Sequence, residues 1–120
     1  MLTNVRDFDA VGDGSSDDRG AIQRAIDHAV ANNTGGILIP AGTYRVSRVD
    51  VVDGRWSLDL NGIQDFTVAG EGPKSVVKLV DTTDPTGTGD WHVFILRNNC
   101  RRIVFEDLVI DGNRTRLTNP

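Results

Sequence analysis

The stretch LNGIQDFTVAGEG at residues 60–72 returns, altered, as RNNCRRIVFEDLVIDG at 97–112. Asn61 matches Asn98, Phe66 matches Ile103 and Val68 matches Phe105, each pair 37 positions apart. Such a repeat suits a solenoid, in which one turn cannot bury its apolar side alone and stacks on the next. The remainder of the chain beyond Gly36 agrees. Short apolar runs stand at Ile37–Ile39, Tyr44–Val46, Leu58–Leu60, Phe66–Val68, Val76–Val80, Trp91–Leu96, Ile103–Phe105 and Leu108–Ile110. Glycine, asparagine or aspartate separates most of them, which is strand punctuation. No second helical pattern follows, and this argues against an alternating α/β sheet. The longer gaps, RVDVVDGR near Asp50 and DTTDPTGTGD from Asp81, become loops leaving the stack, where binding surfaces concentrate.

One segment keeps a different period. Ala21, Ile22, Ala25, Ile26, Ala29 and Val30 fall in pairs four residues apart, so the spacing predicts a helix over about 17–32 with one apolar stripe. NNTGG at 32–36 supplies residues suited to a left-handed stop. Ahead of the helix lies DFDAVGDGSSDD, rich in aspartate and glycine. As a calcium loop it fails: counting from Asp7 puts Val11 at a ligand position, and counting from Asp13 ends without a glutamate. As a phosphate cradle it lacks the lysine and carries repelling carboxylates. The expected role is architectural. Ser16 or Asp17 caps the first helical amides, Asp17 and Asp18 complement the dipole, and Gly12 and Gly14 allow the turn from a strand-like VRDF.

Bulk properties narrow the partners. The chain has 120 residues, 38% hydrophobic, with a net charge of -4 and thirteen glycines. One domain is expected, with no nucleic-acid footprint and no membrane span. One cysteine, Cys100, excludes an internal disulfide and a cysteine-rich zinc site. The first residues lack the pattern of a classical signal peptide, so export would use another route.

Together, Asp7-Phe8, Ala10, Gly12-Asp13-Gly14, Asp17-Asp18, AIQRAID and PAGTYRVS resemble the N-terminal signature of the pectate-lyase-like superfamily of right-handed parallel β-helices. The likeness is close over Val5–Ser47 and looser to LVIDGNR at 108–114. Within the superfamily it is nearest to mannuronan C-5 epimerase modules, and phage tailspike or minor tail β-helices open similarly. The resemblance implies a mainly β fold: the first coils, about 36–114, of a single parallel β-helix domain spanning 1–120. An amphipathic capping α-helix would close its first turn, blocking exposed strand edges. It implies a truncated segment, with later coils beyond Pro120. Its function would be in a carbohydrate-active protein handling an acidic polysaccharide by uronate epimerisation or elimination. The alternative is a non-enzymatic tailspike or adhesin shaft, a homotrimer if from a phage tail. The location is then extracellular or the virion tail.

Uronate chemistry needs cations near the carboxylate and an acid–base pair, sometimes with calcium. EDLVIDGNRTR at 106–116 offers Glu106, Asp107, Asp111, Asn113, Arg114 and Arg116. As one strand it would set Asp107 and Asp111 on one face about 13 Å apart, too far for a glycosidase pair. Asp111, Asn113 and Arg114 are the candidate substrate-binding residues, at the rim of a sugar groove; the competing role is a plain Asp-Gly-Asn turn. Arg97, Arg101, Arg102, Arg114 and Arg116 make the second half locally basic. They are expected on a solvated face paired with acids, the alternative being contact with an anionic glycan. Trp56 and Trp91 are expected to pack in the core or at its rim, the alternative being stacking on sugar rings. His28 and His92 have no partners at ligand or triad spacing, and Cys100 is expected to be buried. No catalytic residue, metal ligand or cofactor is assigned within 1–120; calcium, if needed, belongs to the parent protein. The segment alone is expected to be inactive.

Overall fold

The computed structural model describes residues 2–47, 56–79 and 92–111. Expectations placed on Val80, Trp91, the loops near Asp50 and from Asp81, Asn113, Arg114 and Arg116 lie outside these residues, as do those on the side chains of Trp56, His92 and Arg97. The strands are β1 (Thr3–Asn4), β2 (Asp13–Asp17), β3 (Gly36–Ile39), β4 (Gly42–Val46), β5 (Trp56–Asn61), β6 (Gln64–Gly70), β7 (Ser75–Leu79), β8 (His92–Arg97), β9 (Arg101–Glu106) and β10 (Val109–Asp111). One helix, α1 (Arg19–Asn32), stands between β2 and β3.

All strand pairs are parallel. A first sheet is ordered β1-β3-β6-β9, a second β2-β4-β7-β10, and a third pairs β5 with β8. Chain order therefore visits first, second and third sheet in turn: β3, β4, β5, then β6, β7, β8, then β9, β10. Strands revisiting the same sheets in the same order form a coil, a parallel β-helix. In the first coil, β1 and β2 are followed by α1 where later coils carry a strand of the third sheet.

The 37-residue repeat is one such coil. β6 lies beside β9 with Phe66 opposite Ile103 and Val68 opposite Phe105. Asn98 donates from its side-chain amide to the Asn61 side-chain Oδ1. Backbone shape repeats with sequence: Gly62 and Asn99 are both left-handed, and so are Asp65 and Arg102. Gly62 and Asn99 lie between strands, while Asp65 and Arg102 are each the second residue of a strand, β6 and β9. The interior is filled by stacked Ile37, Val68 and Phe105 on one side and by Tyr44 and Val77 on another. Gly36, at φ 147°, starts β3 where any Cβ would collide with the carbonyl oxygen of Thr67 on β6, so only glycine fits.

The helix buries Ala21, Ile22, Ala25, Ile26 and Ala29 against the core. Ile22 and Ile26 each contribute about 1.5–3 kcal/mol. Val30 does not join them: at 49% exposed, it lies one residue beyond the buried stripe. The helix stops at left-handed Asn33, as NNTGG suggested. Its start differs from expectation. Asp17 belongs to β2, and Ser16 caps nothing, since its amide and hydroxyl both donate to Asp13, at 2.7 and 3.1 Å. Asp17 does accept from the Arg19 amide at 3.1 Å. Asp18, 2% exposed, turns its carboxylate back to the amides of Val11 and Gly12, both at 2.9 Å. The aspartates thus tie the lead-in to the coil rather than cap the helix alone. VRDF is a 3-10 turn, Val5–Phe8, rather than strand-like.

Polar side chains of α1 also meet the free edge of β5. Gln23 donates to the Asp59 carbonyl at 3.1 Å and accepts from the Asp59 amide at 2.8 Å. Arg19 Nε donates to the Ser57 carbonyl at 2.8 Å. These bonds satisfy backbone groups that a neighbouring strand would otherwise satisfy. Cys100 is half-buried, with its thiol donating to the Leu60 carbonyl at 2.8 Å.

Candidate functional site

Strand alternation on the second sheet turns Tyr44, Val46, Val77 and Leu79 inward and Thr43, Arg45, Val76 and Lys78 outward. Register then stacks the outward residues into columns. One holds Asp13, Thr43, Val76 and Val109; its neighbour holds Asp17, Arg45, Lys78 and Asp111. Neighbouring strands lie about 4.8 Å apart, so four charged side chains rise along one line in the order acid, base, base, acid.

The first two members of the charged column are held by local bonds. Arg45 Nη1 donates to the Ser15 carbonyl at 2.7 Å. Asp17 accepts from the Ser47 and Arg19 amides, both at 3.1 Å. Partial burial pushes the Asp17 carboxyl up, but those hydrogen bonds and the Arg19 charge outweigh it and leave its pKa below the ordinary 3.8. Asp111 ends β10, half-buried.

The other candidates fall elsewhere. Residues 106–111 are not one strand: Asp107 is left-handed at φ 57°, and the chain turns there from β9 in the first sheet to β10 in the second. Asp107 and Asp111 therefore do not share a face, which corrects the alternation expected from sequence. Arg102 is paired, with its guanidinium lying fork-to-fork on Asp65 and its Nη2 3.0 Å from Oδ2. That pair draws the Asp65 carboxyl down. A groove of about 340 Å³ runs between α1 and β5, with Asp27, Asp59 and Asn61 on its walls. Its carboxylates disfavour an anionic ligand. Among the described residues, no three histidine, cysteine, aspartate or glutamate side chains converge as metal ligands.

The family described as rhamnogalacturonase A/epimerase, pectate lyase-like, matches residues 2–118. The chain belongs to it.

Among curated relatives, mannuronan C5-epimerase AlgE1 of Azotobacter vinelandii is 39% identical over 116 residues, covering 92% of this chain and 8% of that protein. Alginate lyase 7 of the same organism is 40% identical over 119 residues, covering 95% of this chain and 13% of that one. Among solved structures, the A-module of Azotobacter vinelandii mannuronan C-5 epimerase AlgE6 superposes with a TM-score of 0.77 at 38% identity, over 96% of this chain and 29% of that module. The chain thus spans under a third of the solved module it matches. Sequence reasoning reached Asp111 through its DGNR context but missed Arg45 and Lys78. Nothing local marks them; the signal was their place one residue before the last inward position of two apolar runs.

Proposed function

We propose that this chain forms the capped first coils of a right-handed parallel β-helix whose full protein converts an acidic polysaccharide by C-5 epimerisation or β-elimination. The observation that carries this reading is the nearly equal likeness, over more than nine-tenths of the chain, to proteins named as an epimerase and as a lyase of uronate polymers. Both reactions begin alike. A base removes the proton beside a uronate carboxylate whose charge is neutralised, and the outcome depends on whether a proton returns or a leaving group departs. The acid–base pair belongs to coils outside 1–120 in this reading, while Asp111, Asn113 and Arg114 border the sugar groove. The buried stripe of α1 and the bonds of Gln23 and Arg19 to the β5 edge support the capping role. Right-handed winding is what parallel crossovers adopt in nearly all cases. A polymeric glycan substrate makes an extracellular location the natural one.

The test is to incubate the full-length protein and the 120-residue chain separately with polymannuronate and with pectate. Product NMR detects epimerised residues, and ultraviolet absorbance detects unsaturated uronates. Turnover is expected from the full-length protein alone. Binding without any change in the polymer, from a trimeric protein, would replace this reading with that of a glycan-binding shaft.

A further inference from the structure

Of the eight asparagines in the chain, only Asn61 is followed by glycine. Asn61 ends β5, and the chain bends immediately at Gly62. Both residues are exposed. Gly62 is left-handed at φ 66°, and a Cβ there would meet only the Asn98 carbonyl oxygen, at 3.6 Å. The space beside Gly62 is therefore open, and glycine leaves its backbone free to turn. One coil later the same place is filled differently. Asn98 matches Asn61, but Asn99, left-handed at φ 65°, stands where Gly62 stands and carries a side chain. The two coils are tied together here, because the Asn98 side-chain amide donates to Asn61 Oδ1.

We infer that Asn61 is a site of spontaneous deamidation through closure onto the Gly62 nitrogen, and that its bond from Asn98 is a latch between coils that sets the rate. The Gly62 amide gives its proton to hydroxide, and its nitrogen attacks Asn61 Cγ. A C–N bond forms, the Cγ–Nδ2 bond breaks, and Nδ2 takes a proton from water and leaves as ammonia. Water then opens the cyclic imide at Cγ, giving aspartate, or at the backbone carbonyl carbon of residue 61, giving isoaspartate. Nothing is oxidised or reduced, and water is the only co-reactant. Asparagine is a thermolabile residue, and a following glycine puts no side chain in the way of the attacking nitrogen. Closure requires the Asn61 side chain and the Gly62 peptide to swing towards each other. The bond from Asn98 holds Oδ1 in place and must open first. The two products differ in consequence. Aspartate still accepts from Asn98, and it adds a negative charge to the groove wall that already carries Asp27 and Asp59. Isoaspartate lengthens the main chain at the end of β5, against the register with β8.

The test is prolonged incubation of the full chain in warm, mildly alkaline buffer, followed by peptide mapping with mass spectrometry and isoaspartyl methyltransferase labelling. Asn61 is expected to convert before any other asparagine, with Asn98 intact. Gly62→Asn reproduces the Asn98–Asn99 pair in a conformation that asparagine already adopts one coil later. Conversion at position 61 should then be lost over the same incubation. Asn98→Gly suits the left-handed backbone at that position, φ 61°, and removes the latch. Conversion at Asn61 should quicken about fivefold, the worth of one neutral hydrogen bond. Circular dichroism checks that each variant folds. Wild type unfolded in urea also lacks the latch and should convert faster than folded wild type, a comparison that stands even where Asn98→Gly does not fold. Asn61 left intact in the folded protein, under conditions where the unfolded chain converts there, overturns the site. An unchanged rate in folded Asn98→Gly, or a rate in urea no faster than in the folded protein, overturns the latch.

Discussion

Asp17 sits at the seam between β2 and α1 and serves both. Its Oδ1 accepts from the Arg19 amide at the helix start and from the Ser47 amide just past β4, each at 3.1 Å. Because these bonds hold its pKa below the ordinary value, the ionised form is favoured by folding. The sign follows from linkage. Stability from Asp17 is complete above its unfolded pKa of about 3.9 and is lost as the pH falls through the lower folded value. The side chain is largely open to solvent, so after screening its contribution is at most about 1 kcal/mol. Asp17→Asn should therefore melt a few degrees below wild type at pH 7, with the gap closing as both are acidified towards pH 3. Melting curves across that range check it; a gap that stays constant with pH would show that Asp17 acts only through shape.

At the level of elements, Gln23 meets the backbone of β5 as a neighbouring strand would. Its primary amide presents a donor and an acceptor side by side, matched to the carbonyl and N–H of Asp59. Gln23→Ala should cost about 1–2 kcal/mol, because a half-buried backbone pair loses its partners. Gln23→Glu should be no better. A carboxylate still accepts from the Asp59 amide but cannot donate to its carbonyl, and it would face Asp27, whose Oδ1 now lies 3.2 Å from the Gln23 amide nitrogen. Hydrogen exchange at the Asp59 amide reads this directly: faster exchange in both variants is expected, and unchanged protection would mean that α1 holds β5 by its apolar stripe alone. The same elements show what sequence carries. Four-residue spacing found α1, and apolar runs found β3 to β10, because burial on one side writes a period into the chain. β2 left no such mark: DGSSD has no apolar residue and is held by register with β4 and by Asp13 bonding its own neighbours. The break at Asp107 was equally silent, since a left-handed aspartate looks like any other until its neighbours are placed. Arg45 and Lys78 were hidden for another reason. They lie far apart in sequence, and only coil register brings them side by side.

For the molecule as a whole, the two ends of the coil differ chemically. At the first coil, α1 buries its apolar stripe and bonds the β5 edge. At the last described coil, β8, β9 and β10 each pair on one side only. Side chains that point inward elsewhere are open there: Leu96 and Ile110 are 45% and 44% exposed, although Leu60 and Val77, their register partners one coil below, are fully buried. Ile103 and Phe105 are likewise only partly covered. An exposed apolar patch framed by three unpaired strand edges is a template for association. The 120-residue chain is therefore expected to bind a hydrophobic dye and to self-associate as its concentration rises, both more strongly than a protein carrying further coils. Ile110→Lys with Leu96→Lys places charge on that surface without touching the buried coils beneath. The double variant should sediment as a monomer at concentrations where wild type does not, with its melting temperature lowered little. Equal association in both proteins would locate the contact elsewhere, with exposed Val30 and Val11 near the other end of the coil the next surface to alter.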